Sequence, residues 1–275
     1  MRTKKKILEA LKSTQLPSIH LSVMEERPTT CIDSKFGGVY YLPKESQIPT
    51  CPEGEPMQFL AQINFSQMPT LEGFPKTGLL QFFIDTDEER FEEKIDDPDL
   101  THELCVVRYY PSPDASLQQE LPESCTLPNE SFGFVDGPWL EGKMLFHSAT
   151  EVATMYLGMD GLVSNLGYET VCNEQITPDL VKQSGYDIEN SETAVDELCW
   201  NFGNWGTKIG GHPAVHQVDP RMDIENGANY TTLLLQYDFS TKQEMESATF
   251  QFFIQPKDLA TGKFDDILFC FHNCF

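Results

Sequence analysis

The apolar positions of this chain fall in short blocks, separated by glycine, proline and runs of acidic residues. Ile19-His20-Leu21-Ser22-Val23 alternates and predicts a first strand. Met57 to Phe65 and Gly78 to Ile84 are nearly continuous apolar runs, broken by Gln62 and Gln81, and predict buried strands. Leu104 to Tyr110, stopped by Pro111 and Pro113, predicts a returning strand and a sheet of about three or four antiparallel strands. Pro49 to Pro56 and Thr70 to Thr77 read as loops. Asp85 to Glu103 holds ten acidic residues against Arg90 and Lys94 and reads as a solvated hairpin connection.

Helical spacing is confined to other stretches. Ile7, Leu8 and Leu11 share one face of a predicted helix over 3–13, which Gln15-Leu16-Pro17 ends. Ser148-Ala149-Thr150-Glu151 has the capping-box pattern and predicts a helix to about Leu157, stopped by Gly158. Thr177-Pro178 opens a short helix that Gly185 closes, and Ser191 to Cys199 continues in helical period. Ser112 to about Asn129 reads as a linker.

Three blocks of the first strand-rich stretch return, in order, in the second. Lys35-Phe36-Gly37-Gly38 returns as Lys208-Ile209-Gly210-Gly211. Phe59 to Phe65 returns as Leu233 to Phe239, and Leu80 to Ile84 as Phe250 to Ile254. This pattern predicts an internal duplication. The expected fold class is α+β: two similar antiparallel β units related by a pseudo-two-fold, with helices between and around them. Residues 1–130 form the expected first half, with an N-terminal helix and repeat one. Residues 131–275 form the second, with a helical insert and repeat two. Gln62 and Gln236 sit mid-strand, where an unpaired amide costs a few kcal/mol. Each bonds main chain where the halves meet, or both face a shared cleft.

Charge narrows the function classes. Forty-three acidic and 19 basic residues give −24, unevenly spread: residues 1–12 hold five of the basic residues and one of the acidic ones. Such a field repels phosphate backbones, so no nucleic acid is expected as a partner, and a basic protein is the partner class that fits. No apolar run approaches the roughly 20 residues of a spanning helix, and the basic N-terminus has no apolar stretch behind it. Neither a membrane nor export is expected, which places the chain in the cytoplasm. The eight cysteines then read as free thiols.

No Gly-x-Ser-x-Gly, His-Glu-x-x-His or Walker pattern occurs, so no catalytic residue and no cofactor are implied. His212, His216, Cys270, His272 and Cys274 form a weak alternative zinc set, at spacing unusual for structural zinc. Asp96 falls at calcium-loop spacing from Asp85, but Arg90 stands where glycine is needed. Gln217, Asp219 and Arg221 alternate and would share a face of an extended segment. Asp219 and Arg221 pair structurally, or they bind a polar group with Lys35 and Lys208 nearby. Trp200, Phe202, Trp205 and Tyr230 are candidate lining for such a cleft. The candidate binding set is therefore Lys35, Gln62, Lys208, Gln217, Asp219, Arg221 and Gln236.

Ser34 to Gly38, Phe59 to Asn64 and Gly78 to Ile84 resemble the first half of the YwqG-like family of bacterial proteins. Lys208 to Pro213, followed by Gln217 to Arg221, resembles its second half. The resemblance implies a duplicated α+β unit and supplies no catalytic residues. Some relatives are encoded beside polymorphic toxins and their immunity proteins. At Val39 the chain departs from the proline that often follows the two glycines and that Pro213 provides. Together these readings imply an uncharacterised cytosolic binding protein, an acidic immunity- or antitoxin-like partner of a basic protein. The alternative is an enzyme or small-ligand binder using a cleft between the halves.

Overall fold

The structure, a computed structural model, describes residues 13–24, 26, 28, 30–95, 97, 100–122, 125, 140–153, 204–215, 219–222, 224–239 and 247–274. The predicted helices over 3–13, 177–185 and 191–199 lie at or beyond the limits of these residues.

Ten strands are described: β1 (Leu16–Met24), β2 (Lys35–Phe36), β3 (Gln58–Asn64), β4 (Leu79–Ile84), β5 (Cys105–Tyr110), β6 (Gly142–Glu151), β7 (Lys208–Gly210), β8 (Thr232–Asp238), β9 (Ser247–Ile254) and β10 (Ile267–Cys274). They form one sheet in the order β10-β9-β8-β7-β1-β6-β2-β3-β4-β5, with every pairing antiparallel. Two α-helices are described, α1 (Glu88–Ile95) and α2 (Pro256–Thr261). The molecule is thus mostly β, with a nearly closed, barrel-like sheet, and the expected α+β class is wrong. The expected pair of small sheets is also replaced by a single sheet, because β1 and β6 pair along their full lengths in the middle.

That pairing overrides the local signal at Ser148-Ala149-Thr150-Glu151, which ends β6 and starts no helix. A capping box contributes about 1 kcal/mol. Here Met144 and Phe146 pack against the core, while β1 offers a partner from Leu16 to Met24.

Read from either end, the sheet runs through four strands of one half to the β1–β6 pair. The first strand of each half crosses over: β1 borders β7, and β6 borders β2. Lys35 pairs with Gln62 on one side and Lys143 on the other, while Lys208 pairs with Gln236 and His20. His20 and Lys143 therefore hold matching places. Ser22 and Leu145, two residues further along each strand, face each other at the middle.

β3 and β8 each carry a register shift, at Leu60 and Leu234. A bulge lets two consecutive residues face one side. Leu60-Ala61 and Leu234-Leu235 all enter the core, while Phe59 and Leu233 pack in separate apolar clusters. This is why the runs read as continuous rather than alternating.

The sheet curls so that its halves share one interior. Phe82 of β4 meets Phe252 of β9 edge-on at 5.1 Å, and Phe36 meets Tyr237 at 5.9 Å. The acidic 85–103 stretch is a correction too. It does join the antiparallel pair β4–β5, with Asp87, Glu88, Glu89, Glu92, Glu93 and Asp97 exposed. But it is not only a solvated connection: it carries α1, whose Phe91 is fully buried, 5.2 Å from Phe271 and 6.2 Å from Phe250. Burying a Phe contributes about 1.5–3 kcal/mol, so Phe91, with the half-buried Ile95 packed beside the core, anchors an otherwise charged helix. Its charges are also placed: Arg90 pairs with Asp85 at 2.7 Å, and Lys94 with Glu103 at 2.9 Å.

Candidate functional site

The repeated lysines and glutamines build two polar frames. Gln62 donates to the carbonyls of Cys31 and Asp33 and accepts from the Tyr41 and Gln81 N–H groups. Gln236 donates to the carbonyls of Asn204 and Gly206 and accepts from Ala214 and Gln251. Each amide is therefore satisfied inside its own half, neither where the halves meet nor in a shared cleft. Lys35 Nζ donates to Val39 O at 2.8 Å, and Lys208 Nζ to His212 O at 2.5 Å, each spanning its own Gly-Gly turn. Those glycines all have positive φ, between +54° and +68°, which only glycine adopts without strain. Lys35 and Lys208 lie on β2 and β7 with β1 and β6 between them, so the sheet does not bring them together.

The frames differ in one carboxylate. Glu151, at the end of β6, places Oε2 2.7 Å from Lys208 Nζ and 3.0 Å from the donating His212 N–H, and Oε1 2.8 Å from His20 Nε2. Lys208 and Glu151 are 0% and 1% exposed. Burial works to raise the Glu151 carboxyl, but the Lys208 charge and the His20 contact hold it down at about 2. Burial lowers the Lys208 ammonium, opposed by Glu151. In the first frame, burial lowers Lys35 to about 8, against the neighbouring Cys31 and Asp33. Sequence reasoning missed Glu151 because it was assigned to a helix cap. His20 reaches it only through β1–β6 pairing, which leaves no local signal.

The remaining candidates are scattered. Arg221 bonds Asp219 through Nε at 2.9 Å and an Nη at 2.6 Å, donates to Tyr230 O, and lies 4.7 Å above the Phe253 ring. Both charges are 1% exposed, so the pair presents nothing to solvent. Gln217, His216, Trp200 and Phe202 lie outside the described residues. His212 Nε2 contacts Thr14 O at 2.6 Å beyond β7, whereas Cys270 and His272 lie on β10, with β8 and β9 between. Burial raises the Cys270 thiol strongly, which opposes the thiolate a metal needs. The described members of the zinc set are thus not assembled. Cys51, Glu53 and Asp85 do cluster, but Glu53 and Asp85 are held by Lys94 and Arg90.

A cleft of about 1020 Å³ opens where the two ends of the sheet approach. β5 contributes Val107 to Tyr110, and the α2–β10 connection contributes Gly262 to Asp265. Tyr109 lines it, its ring tilted 43° against Phe264 with centroids 4.7 Å apart and its hydroxyl donating to Thr77 O at 3.0 Å. Gly78 makes room for that ring, since a Cβ there would lie 2.6 Å from it. Arg108 donates to Gln47 O and, like Lys263, has no ion-pair partner among the described residues. Among the described residues that line the cleft, Asp265 is the one carboxylate and there is no histidine or cysteine.

Among the described residues no helix is long and apolar enough to cross a membrane. No curated protein matches the chain. A family model described as a domain of unknown function, DUF1963, matches residues 34–274. The chain belongs to that family.

Proposed function

We propose that the chain is a non-catalytic binding protein that takes a polypeptide partner in the cleft between its halves, and that it is YwqG-like in the finer sense. The observation that carries this reading is the cleft itself. It is open and aromatic-lined, and among the described residues it has two cations without an ion-pair partner, one carboxylate (Asp265) and no nucleophile–imidazole pair. The net charge of −24 favours a partner that is basic overall, as an immunity- or antitoxin-like protein masking a basic protein in the cytoplasm would require.

Selection of a random ten-residue peptide library on the immobilised chain tests this, with Arg108→Glu/Lys263→Glu as the control surface. That variant is more acidic, so a purely electrostatic attraction for basic peptides would strengthen. Engagement in the cleft predicts that enriched peptides bind the variant at least tenfold more weakly. A library with no enrichment, or peptides that prefer the variant, would overturn the reading.

A further inference from the structure

We infer that the partner binds by strand addition, as an extended segment pairing with the free edge of β5 and placing one carboxylate between Arg108 and Lys263. The inference rests on the binding reading above and adds its mode and chemistry.

Among the described residues β5 ends the sheet, so one of its edges has no described strand beside it. The Asp85 N–H donates to Leu104 O at 2.9 Å just before β5, which fixes the phase of the β4–β5 ladder. Main-chain groups alternate along an antiparallel strand. Val106 and Arg108 therefore bond β4, and Cys105, Val107 and Tyr109 direct their N–H and C=O groups away from it. Cys105 is buried, whereas Val107 and Tyr109 both line the cleft. Together they offer two donors and two acceptors in a row, the pattern by which sheet edges capture extended peptides.

Charge then selects the segment. Arg108 and Lys263 line the same cleft and have no ion-pair partner among the described residues, and Asp265 is the one opposing charge among the described lining residues. A single carboxylate is accommodated there. A run of acidic residues is not, because it would approach a chain of net charge −24. The occupant is thus one carboxylate on an otherwise neutral or basic segment. A charge-assisted pair makes the carboxylate a large share of the affinity.

The test uses the full chain and one array of ten-residue peptides, synthesised with free C-termini and again as C-terminal amides. The expected result has three parts: binding about tenfold tighter for free carboxylates, slowed hydrogen exchange at the Val107 and Tyr109 amides when peptide is bound, and loss of the carboxylate preference in Arg108→Gln/Lys263→Gln. If no peptide binds in either form, this mode and the binding reading fall together. Peptides that bind while the Val107 and Tyr109 amides exchange unchanged, or with equal affinity as amides, overturn strand addition and leave the binding reading standing. Dimerisation that protects these amides without peptide, seen by sedimentation, would assign the edge to a second copy and also overturn it.

Discussion

Lys208 Nζ lies 2.7 Å from Glu151 Oε2 with both side chains out of solvent, whereas Lys35, in the matching register, bonds only the Val39 carbonyl among the described contacts. The same Lys-Gly-Gly turn is thus built once around an ion pair and once around a lone cation. Burying a pair is close to neutral, but removing one partner leaves a buried charge uncompensated.

Glu151→Gln is therefore expected to destabilise the chain by about 3–5 kcal/mol in urea unfolding. Glu151→Gln combined with Lys208→Met should lose clearly less than Glu151→Gln alone. Equal losses would show that Lys208 does not depend on Glu151 for its stability.

Acid should act on the same carboxylate. Its folded pKa, about 2, is below the ordinary 4.5, so its stabilisation is present above pH 4.5 and is lost as pH falls toward 2. The difference in stability between wild type and Glu151→Gln should shrink across that window. A constant difference from pH 6 to pH 2.5 would contradict the assignment.

Lys35 predicts a slope of the same sign at alkaline pH, where its buried ammonium is a cost that deprotonation relieves. Its folded pKa is lowered from 10.5 to about 8, so the unfolded chain holds more protons between those values and stability rises with pH there. Cysteines and tyrosines titrate in the same range, so the readout is the difference between wild type and Lys35→Met. That difference should change in favour of wild type from pH 8 to 10.5 and stay flat below pH 7.

Two glycines with positive φ separate backbone strain from crowding. A Cβ at Gly211 would sit 2.2 Å from Glu151 Oε2 and 2.8 Å from Ser18 Cβ, while one at Gly54 meets nothing within 4 Å. Gly54→Ala should cost about 1–2 kcal/mol, from conformation alone. Gly211→Ala should exceed it by about 1–3 kcal/mol, measured by thermal or urea unfolding.

How much of this was legible in the sequence follows from the range of each interaction. The strands at Met57 to Phe65 and Gly78 to Ile84 announce themselves because burial on both faces leaves a nearly unbroken apolar run, whereas Ile19 to Val23 does so by alternation and Leu104 to Tyr110 by an apolar run that prolines stop. The matching Lys-Gly-Gly and Gln positions were legible as well, though not that each amide is satisfied by its own half. β6 was not, because its capping-box residues advertise a helix locally while its partner lies more than a hundred residues away. That one error hid the single sheet, the place of Glu151 and the contact with His20. α1 was obscured by its charge, since only Phe91 and Ile95, at i and i+4, carry the signal that one face is buried. The cleft joins Arg108 to Lys263, from opposite ends of the sheet, and no spacing in the chain encodes that meeting.

Amide hydrogen exchange along β5 tests the open edge most directly. With no partner added, the Val107 and Tyr109 amides should exchange at least about a hundredfold faster than those of Val106 and Arg108, which bond β4. Uniform protection from Val106 to Tyr109 would mean that the edge is already filled and has no place for a partner strand.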